Sequence, residues 1–163
     1  MTPTPKLILP DIAESINESV LCWLATTSED GFPNVSPKEA FLYDGEDRIL
    51  IANIASPISV KNIHRDDRVC VSFVNVFVQK GFKVVGHAKV LVPGDSEFEV
   101  QHGKLVEAIG TTFPILSVIE VTPTKVVEIV APSYRLFPDS GPLDRIKESL
   151  RTYRVQEYQH RAE

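Results

Sequence analysis

The period of apolar and polar positions changes several times along the chain, and each change marks an element. Residues 1–10 carry three prolines and no period, which predicts an arm lying on the surface, either of this chain or of a partner subunit. Ile12 and Ile16 then give one apolar side to a short helix, with Asp11 as its cap, Glu14 reaching back, and an end near Ser19. From Val20 the run VLCWLATT is apolar on both faces, as expected of an enclosed strand. An Asp30-Gly31 turn, the extended segment NVSPKEAFLY, a second turn at Asp44-Gly45 and the strand RILIANI follow, so this half reads as an antiparallel β-meander.

Helical spacing returns in SPISVKNIHRDD, where Ser56 is the cap, Pro57 suits the first turn, Ile58 and Ile63 face inward, and Lys61 and Arg65 face outward. RVCVSFVNVFV and GFKVVGHAKVLV are two further strands, the second alternating small and large residues with something bulky approaching Gly86. Beyond Pro93-Gly94, Phe98, His102, Leu105, Val106 and Ile109 form one stripe of a helix that starts from an Asp95 cap. ILSVIEVTPTKVVEIV supplies the last strands, with Pro123 at a turn or an edge. A polar helix over 142–163 closes the chain. The sum is one domain over 1–163, mainly β with α (α+β), in which six antiparallel strands form a β-barrel flanked by helices.

Composition narrows the function more than the fold. The chain has 163 residues, long enough for one core and too short for two ordinary domains. Its net charge of -5, with no block of Lys and Arg, excludes a general affinity for nucleic acid and leaves only local recognition of phosphate. Cys22 and Cys70 lie in apolar runs without a metal-ligand or redox spacing and read as free buried thiols. No apolar stretch is long enough for a membrane span and MTPTPKLILP has no signal-peptide pattern, so no membrane association and a cytoplasmic location are expected.

There is no nucleophile elbow, H-E-x-x-H, P-loop or framed pair of carboxylates, which argues against a hydrolase. What remains are polar residues interrupting apolar strands: Ser36, Pro37 and Lys38 on the second, Asn53 on the third, then Ser59 and Lys61 at the helix start. Helix N-terminal amides, a hydroxyl and one or two ammonium groups hold a dianionic phosphate well. The same residues can also do no more than cap a helix and solvate its face.

The order of elements resembles the pyridoxamine 5'-phosphate oxidase-like FMN-binding split barrels over most of residues 11–131. CWLATTSEDGFPNVSPKEAFLYDGEDRILIANIASPISVKNIHRDDRVCVSF is similar to that family's LAT strand, dG-x-P-x-v turn, strand with Lys, strand ending near the flavin, and S-x-K-x-N-[IL] helix leading into D-x-R-V. The resemblance implies a split barrel with FMN as cofactor. It places Ser36, Pro37 and Lys38 beside the flavin, gives backbone groups of Ala52, Asn53 and Ile54 to the isoalloxazine edge, and leaves the phosphate to Ser59, Val60, Lys61 and Asn62. It further implies a homodimer with the flavin sites between subunits and VNVFVQKGF as a contribution from the partner.

The departures also count. Ser36 and Lys38 stand where more cationic residues belong in true pyridoxamine phosphate oxidases, and the C-terminus after SYRLFPDSGP lacks their basic substrate-binding character, so vitamin B6 oxidation is not implied. A hydride reaches flavin without a protein acid or base, so the missing catalytic dyad leaves redox chemistry open. The resulting expectation is an FMN-dependent oxidoreductase acting on a small molecule or electron carrier, with a nicotinamide nucleotide as one source of electrons. The alternatives are a flavin-binding or storage protein without turnover, and the same groove holding a deazaflavin or haem. No metal site is expected, because His64 lies in a charged stretch, His160 in the tail, and His87 and His102 on different elements.

Overall fold

The computed structural model describes residues 6–139 and 141–156. Seven strands form one antiparallel sheet in the order β2-β1-β5-β6-β7-β4-β3: β1 (Cys22–Thr27), β2 (Pro33–Lys38), β3 (Phe41–Tyr43), β4 (Ile49–Asn53), β5 (Arg68–Asn75), β6 (Lys80–Leu91) and β7 (Ser117–Val130). The helices are α1 (Pro10–Glu18), α2 (Pro57–Arg65), α3 (Phe98–Ile109), α4 (Ser133–Leu136) and α5 (Pro142–Thr152). The architecture is the expected curled barrel with flanking helices, but with seven strands where six were expected. NVSPKEAFLY is two strands rather than one: it breaks after Lys38, and its halves lie on opposite edges of the sheet.

That break defines the barrel. β2 pairs only with β1 and β3 only with β4, so the meander expected for the first half does not form. The carbonyl of Ala40 already accepts the Ala52 amide of β4, which leaves two peptide steps from Lys38 on one edge to Ala40 beside the other. Two residues span at most about 7 Å, so the sheet must curl until its first and last strands face each other across a narrow seam. Pro33 and Pro37 suit β2 to such an edge, where missing amide donors break no ladder.

β4 is buried on both faces. Ile49 and Ile51 join the barrel core with Leu24, Val71, Phe73, Val84, Ile119 and Val121, capped at one end by Ile12 and Ile16 of α1. Leu50 and Ala52 face outward into a second core with Leu91, Val118 and Phe98 and Leu105 of α3. The α3 stripe is thus only partly apolar: Gln101 is buried with it and bonds Glu120, while His102 stacks on Phe98.

Several local expectations change. α1 begins at Pro10 without a side-chain cap, because Asp11 already lies inside the first turn. α3 begins at Phe98, since the Asp95 carboxylate accepts the Val92 amide and holds the preceding turn instead. Pro123 is not at a turn; it sits inside β7 at a bulge opposite Gly86, beyond Val121 where the pairing with β4 stops, so on that side it holds the expected edge position. The bulky group near Gly86 is backbone: a β-carbon there would lie 2.1 Å from the Thr122 carbonyl oxygen. β5 ends at Asn75, so Val76 to Gln79 form the turn into β6. Of the N-terminal arm, residues 1–5 lie outside the described residues, while Leu7 and Ile8 donate their amides to Asp47 of the same chain. The C-terminal helix is seen as α5, and residues 157–163 lie outside the described residues. No helix among the described residues is long and apolar enough to cross a membrane.

Candidate functional site

Strand alternation puts Asn34, Ser36 and Lys38 of β2 on the inner face, opposite Thr26, Leu24 and Cys22 of β1. The inner face is therefore apolar over most of the barrel and polar where it reaches the seam. Lys38 is buried, and its Nζ donates to the hydroxyls of Ser36 (2.8 Å) and Ser56. No carboxylate pairs with it among the described residues, and one of its three donors is left over. Burial holds its pKa below the ordinary lysine value, with Cys22 beside it pulling weakly the other way.

The end of β4 is fixed by a side chain. Asn53 continues the inner face, donates to the Ser117 hydroxyl (2.8 Å) and accepts the Ser56 amide (3.0 Å). Asn53 thereby sets the turn into α2, and Ser56, freed from capping that helix, turns its hydroxyl to Lys38.

These elements enclose a cleft of about 430 Å³ lined by Pro37, Lys38, Glu39, Ala40, Ala52, Ile54, Ala55, Ser56, Ile109, Gly110 and Phe113. Pro37, Lys38, Ala52 and Ile54 of the sequence-predicted residues meet there, with Ser36 and Asn53 one bond behind. Its walls are mostly apolar, with Lys38 the one cation and Glu39 the one carboxylate among the lining residues. The α3 end and the following loop, which supply Ile109 to Phe113, carry no local signal of this role; only the β4–α3 packing brings them to the seam.

The helix residues behave differently. Ser59 and Asn62 are buried, Asn62 donating to the Thr26 hydroxyl (3.0 Å), and Val60 packs on the core. Ile58, expected inward, is 63 % exposed, because the inward positions of α2 are taken by Ser59, Asn62 and Ile63. Lys61 is on the outside, paired with Glu29 at 3.0 Å, and lowers that carboxylate's pKa. Arg65 donates to the carbonyls of Thr27 (3.0 Å), Ser28 and Glu29, so the β1–β2 turn is fastened along α2. Among the described residues no three His, Cys, Asp or Glu side chains gather as a metal would require.

The outer face of the sheet carries a different pattern. Val35, Ala25, Cys70 and Val85 are successive neighbours across β2, β1, β5 and β6, with Trp23 in the adjoining row. Val35, Trp23 and Val85 are all exposed.

Comparison with known proteins agrees with the fold. The family model described as pyridoxamine 5'-phosphate oxidase matches residues 8–129. Among solved structures the chain is similar to HupZ of Group A Streptococcus (TM-score 0.64, 19% identity, covering 74% of this chain and 93% of that one). It is similar also to an FMN-binding protein from Syntrophomonas wolfei (TM-score 0.60, 14% identity, 74% and 86%). General Stress Protein 26 from Bacillus anthracis has the same fold (TM-score 0.56, 15% identity, 72% and 90%). No curated protein matches the chain.

Proposed function

Because the chain belongs to the pyridoxamine 5'-phosphate oxidase family, we propose that it is a flavoprotein holding FMN at the barrel seam. The observation that carries this reading is the meeting of β2 and β4 residues in one cleft around a buried lysine with no carboxylate partner among the described residues. The cleft fits the group. Its volume lies in the range of cofactor sites, the walls of Pro37, Ala40, Ala52 and Ile54 suit a flat ring, and the spare donor of Lys38 suits an electron-rich ring edge. The fold shared with the Syntrophomonas wolfei FMN-binding protein supports the same choice.

In this reading Ser36, Pro37 and Lys38 flank the ring, and backbone groups of Ala52, Asn53 and Ile54 meet its edge. Ser59, Val60, Lys61 and Asn62 place the start of α2 at the phosphate, where amide donors and the helix dipole favour an anion. Ser59 and Asn62 act there by shaping the helix start, since both are buried, while Lys61 is outside and must exchange Glu29 for the phosphate. Bound FMN supplies hydride chemistry; the chain binds it, orients it and excludes water from one side. The electron acceptor is a small molecule or a second carrier, with a nicotinamide nucleotide as donor, in the cytoplasm. A cleft with a single lysine and no arginine in its lining does not suit vitamin B6 phosphates.

The exposed apolar row from Val35 to Val85 favours a homodimer joined through the outer sheet face. Sedimentation of the purified protein checks the dimer. For the cofactor, the chromophore is released by heat and identified by absorption and mass. FMN is expected, and NADH or NADPH bleaching it separates an enzyme from a flavin carrier. A colourless protein that takes up no added FMN overturns the reading, and a deazaflavin or haem spectrum replaces it.

A further inference from the structure

At the start of β6 the described residues gather positive charge that is only partly offset. Lys80 and Lys83 of β6 and Arg135 of α4 line an open cleft of about 650 Å³ together with Glu128, Ile129 and Val130 of β7. All three cations are exposed, and none forms an ion pair with a carboxylate among the described residues. Glu128 offsets one charge, so the lining carries a net of about +2 on a chain whose total is -5.

The wall behind the cleft adds to it. Lys80 Nζ lies 4.3 Å from the centre of the Tyr134 ring, and the Arg145 guanidinium lies 3.7 Å from the same centre. Tyr134 is held in place by its hydroxyl, which donates to the Val78 carbonyl at 2.7 Å. Arg145 is buried, bonds Ser133 and the Phe137 carbonyl, and leaves its Nε without a partner. Two cations thus share one aromatic ring, which adds positive potential to the wall behind the cleft.

We propose that this cleft binds the linked phosphates of a nucleotide. Two flexible ammonium groups and one planar guanidinium, which can bond two phosphate oxygens at once, suit a pyrophosphate. The space is far larger than a phosphate group needs, and the side chains of Ile129 and Val130 offer apolar surface to a sugar or base. The site lies on β6, β7 and α4 and shares no lining residue with the seam cleft of the same chain; Lys80 falls in the segment that the family resemblance gives to a partner's flavin site, and the test therefore substitutes Lys83 and Arg135.

The test titrates the full chain calorimetrically at low salt with inorganic pyrophosphate and with ADP. Wild-type protein and Lys61→Ala are expected to bind pyrophosphate alike, with affinity falling as salt is raised. The double variant Lys83→Ala/Arg135→Ala is expected to bind at least about tenfold more weakly, and both side chains being exposed, its melting temperature should be that of wild type. ADP binding more tightly than pyrophosphate identifies a nucleotide. Wild type without affinity for either probe, a double variant that binds undiminished, binding that Lys61→Ala abolishes, or ADP weaker than bare pyrophosphate overturns the proposal.

Discussion

Lys38 Nζ donates to the Ser56 hydroxyl, so the last residue of β2 is tied to the residue that starts α2, 18 positions along the chain. The bond crosses the seam, and it lets a buried ammonium group persist on hydroxyls alone. Such a group costs stability. With its folded pKa below the unfolded value, the unfolded chain binds the proton more tightly. The contribution of this group to stability is therefore most favourable above the ordinary lysine pKa and falls as pH drops from there through the folded pKa.

Lys38→Met removes that cost. The apoprotein is expected to melt at the same temperature or up to about 4 °C higher, while flavin affinity drops about tenfold or more. Wild-type affinity should also weaken with rising pH before a normal lysine would titrate, and Lys38→Met should lose that dependence. Fluorescence titration of FMN across pH, with thermal melts alongside, checks both.

Lys61→Ala separates the phosphate contact from folding. The side chain is exposed and its ion pair among the described residues is with the exposed Glu29, an interaction worth little to stability. The variant should melt within about 2 °C of wild type yet purify largely without FMN. Full flavin occupancy in this variant removes Lys61 from the site.

Gly86→Ala forces a β-carbon to within 2.1 Å of the Thr122 carbonyl oxygen, which is backbone in the neighbouring strand and cannot rotate away. A loss of about 2–3 kcal/mol is expected, read as a lower midpoint in urea. A midpoint equal to wild type would mean that the β6–β7 bulge relaxes freely.

The two cysteines should differ from a free thiol in reactivity. Burial pushes the Cys22 thiol up to about 12 and raises Cys70 as well, so little thiolate exists near neutral pH. Alkylation at pH 8 should be much slower in the folded protein than in urea, with Cys22 the slower of the two by mass spectrometry. For Cys22 the linkage sign is the opposite of that for Lys38: its contribution is complete below the unfolded thiol pKa and disappears as pH rises through about 12.

Hydrophobic period located β1, β4 and β6, because each has a run long enough to count, while α2 was located by Ser56 and Pro57 at its start. It could not find the break between Lys38 and Phe41, since both halves of that segment are extended and of like composition, and only pairing partners tell them apart. Nor could it orient α2. Asn62 faces inward because Thr26, 36 residues earlier, accepts its amide, and a polar pair of that kind leaves no periodic trace. Ser36, Pro37, Lys38 and Asn53 were legible as interruptions of apolar strands, whereas Ala52 and Ile54 entered only through the family resemblance. Ile109, Gly110 and Phe113 were not legible, because they reach the cleft by the packing of α3 on β4 and β7.

The two-residue crossing from Lys38 to Ala40 also bears on how this chain behaves among its own copies. An open sheet exposes unpaired strand edges that recruit foreign strands and seed aggregates. Here one edge carries two prolines, the other is three residues long, and each faces its counterpart across the fold rather than the solvent at large. Lengthening that crossing by several flexible residues would let the edges drift apart and turn a self-contained molecule into a template for fibres.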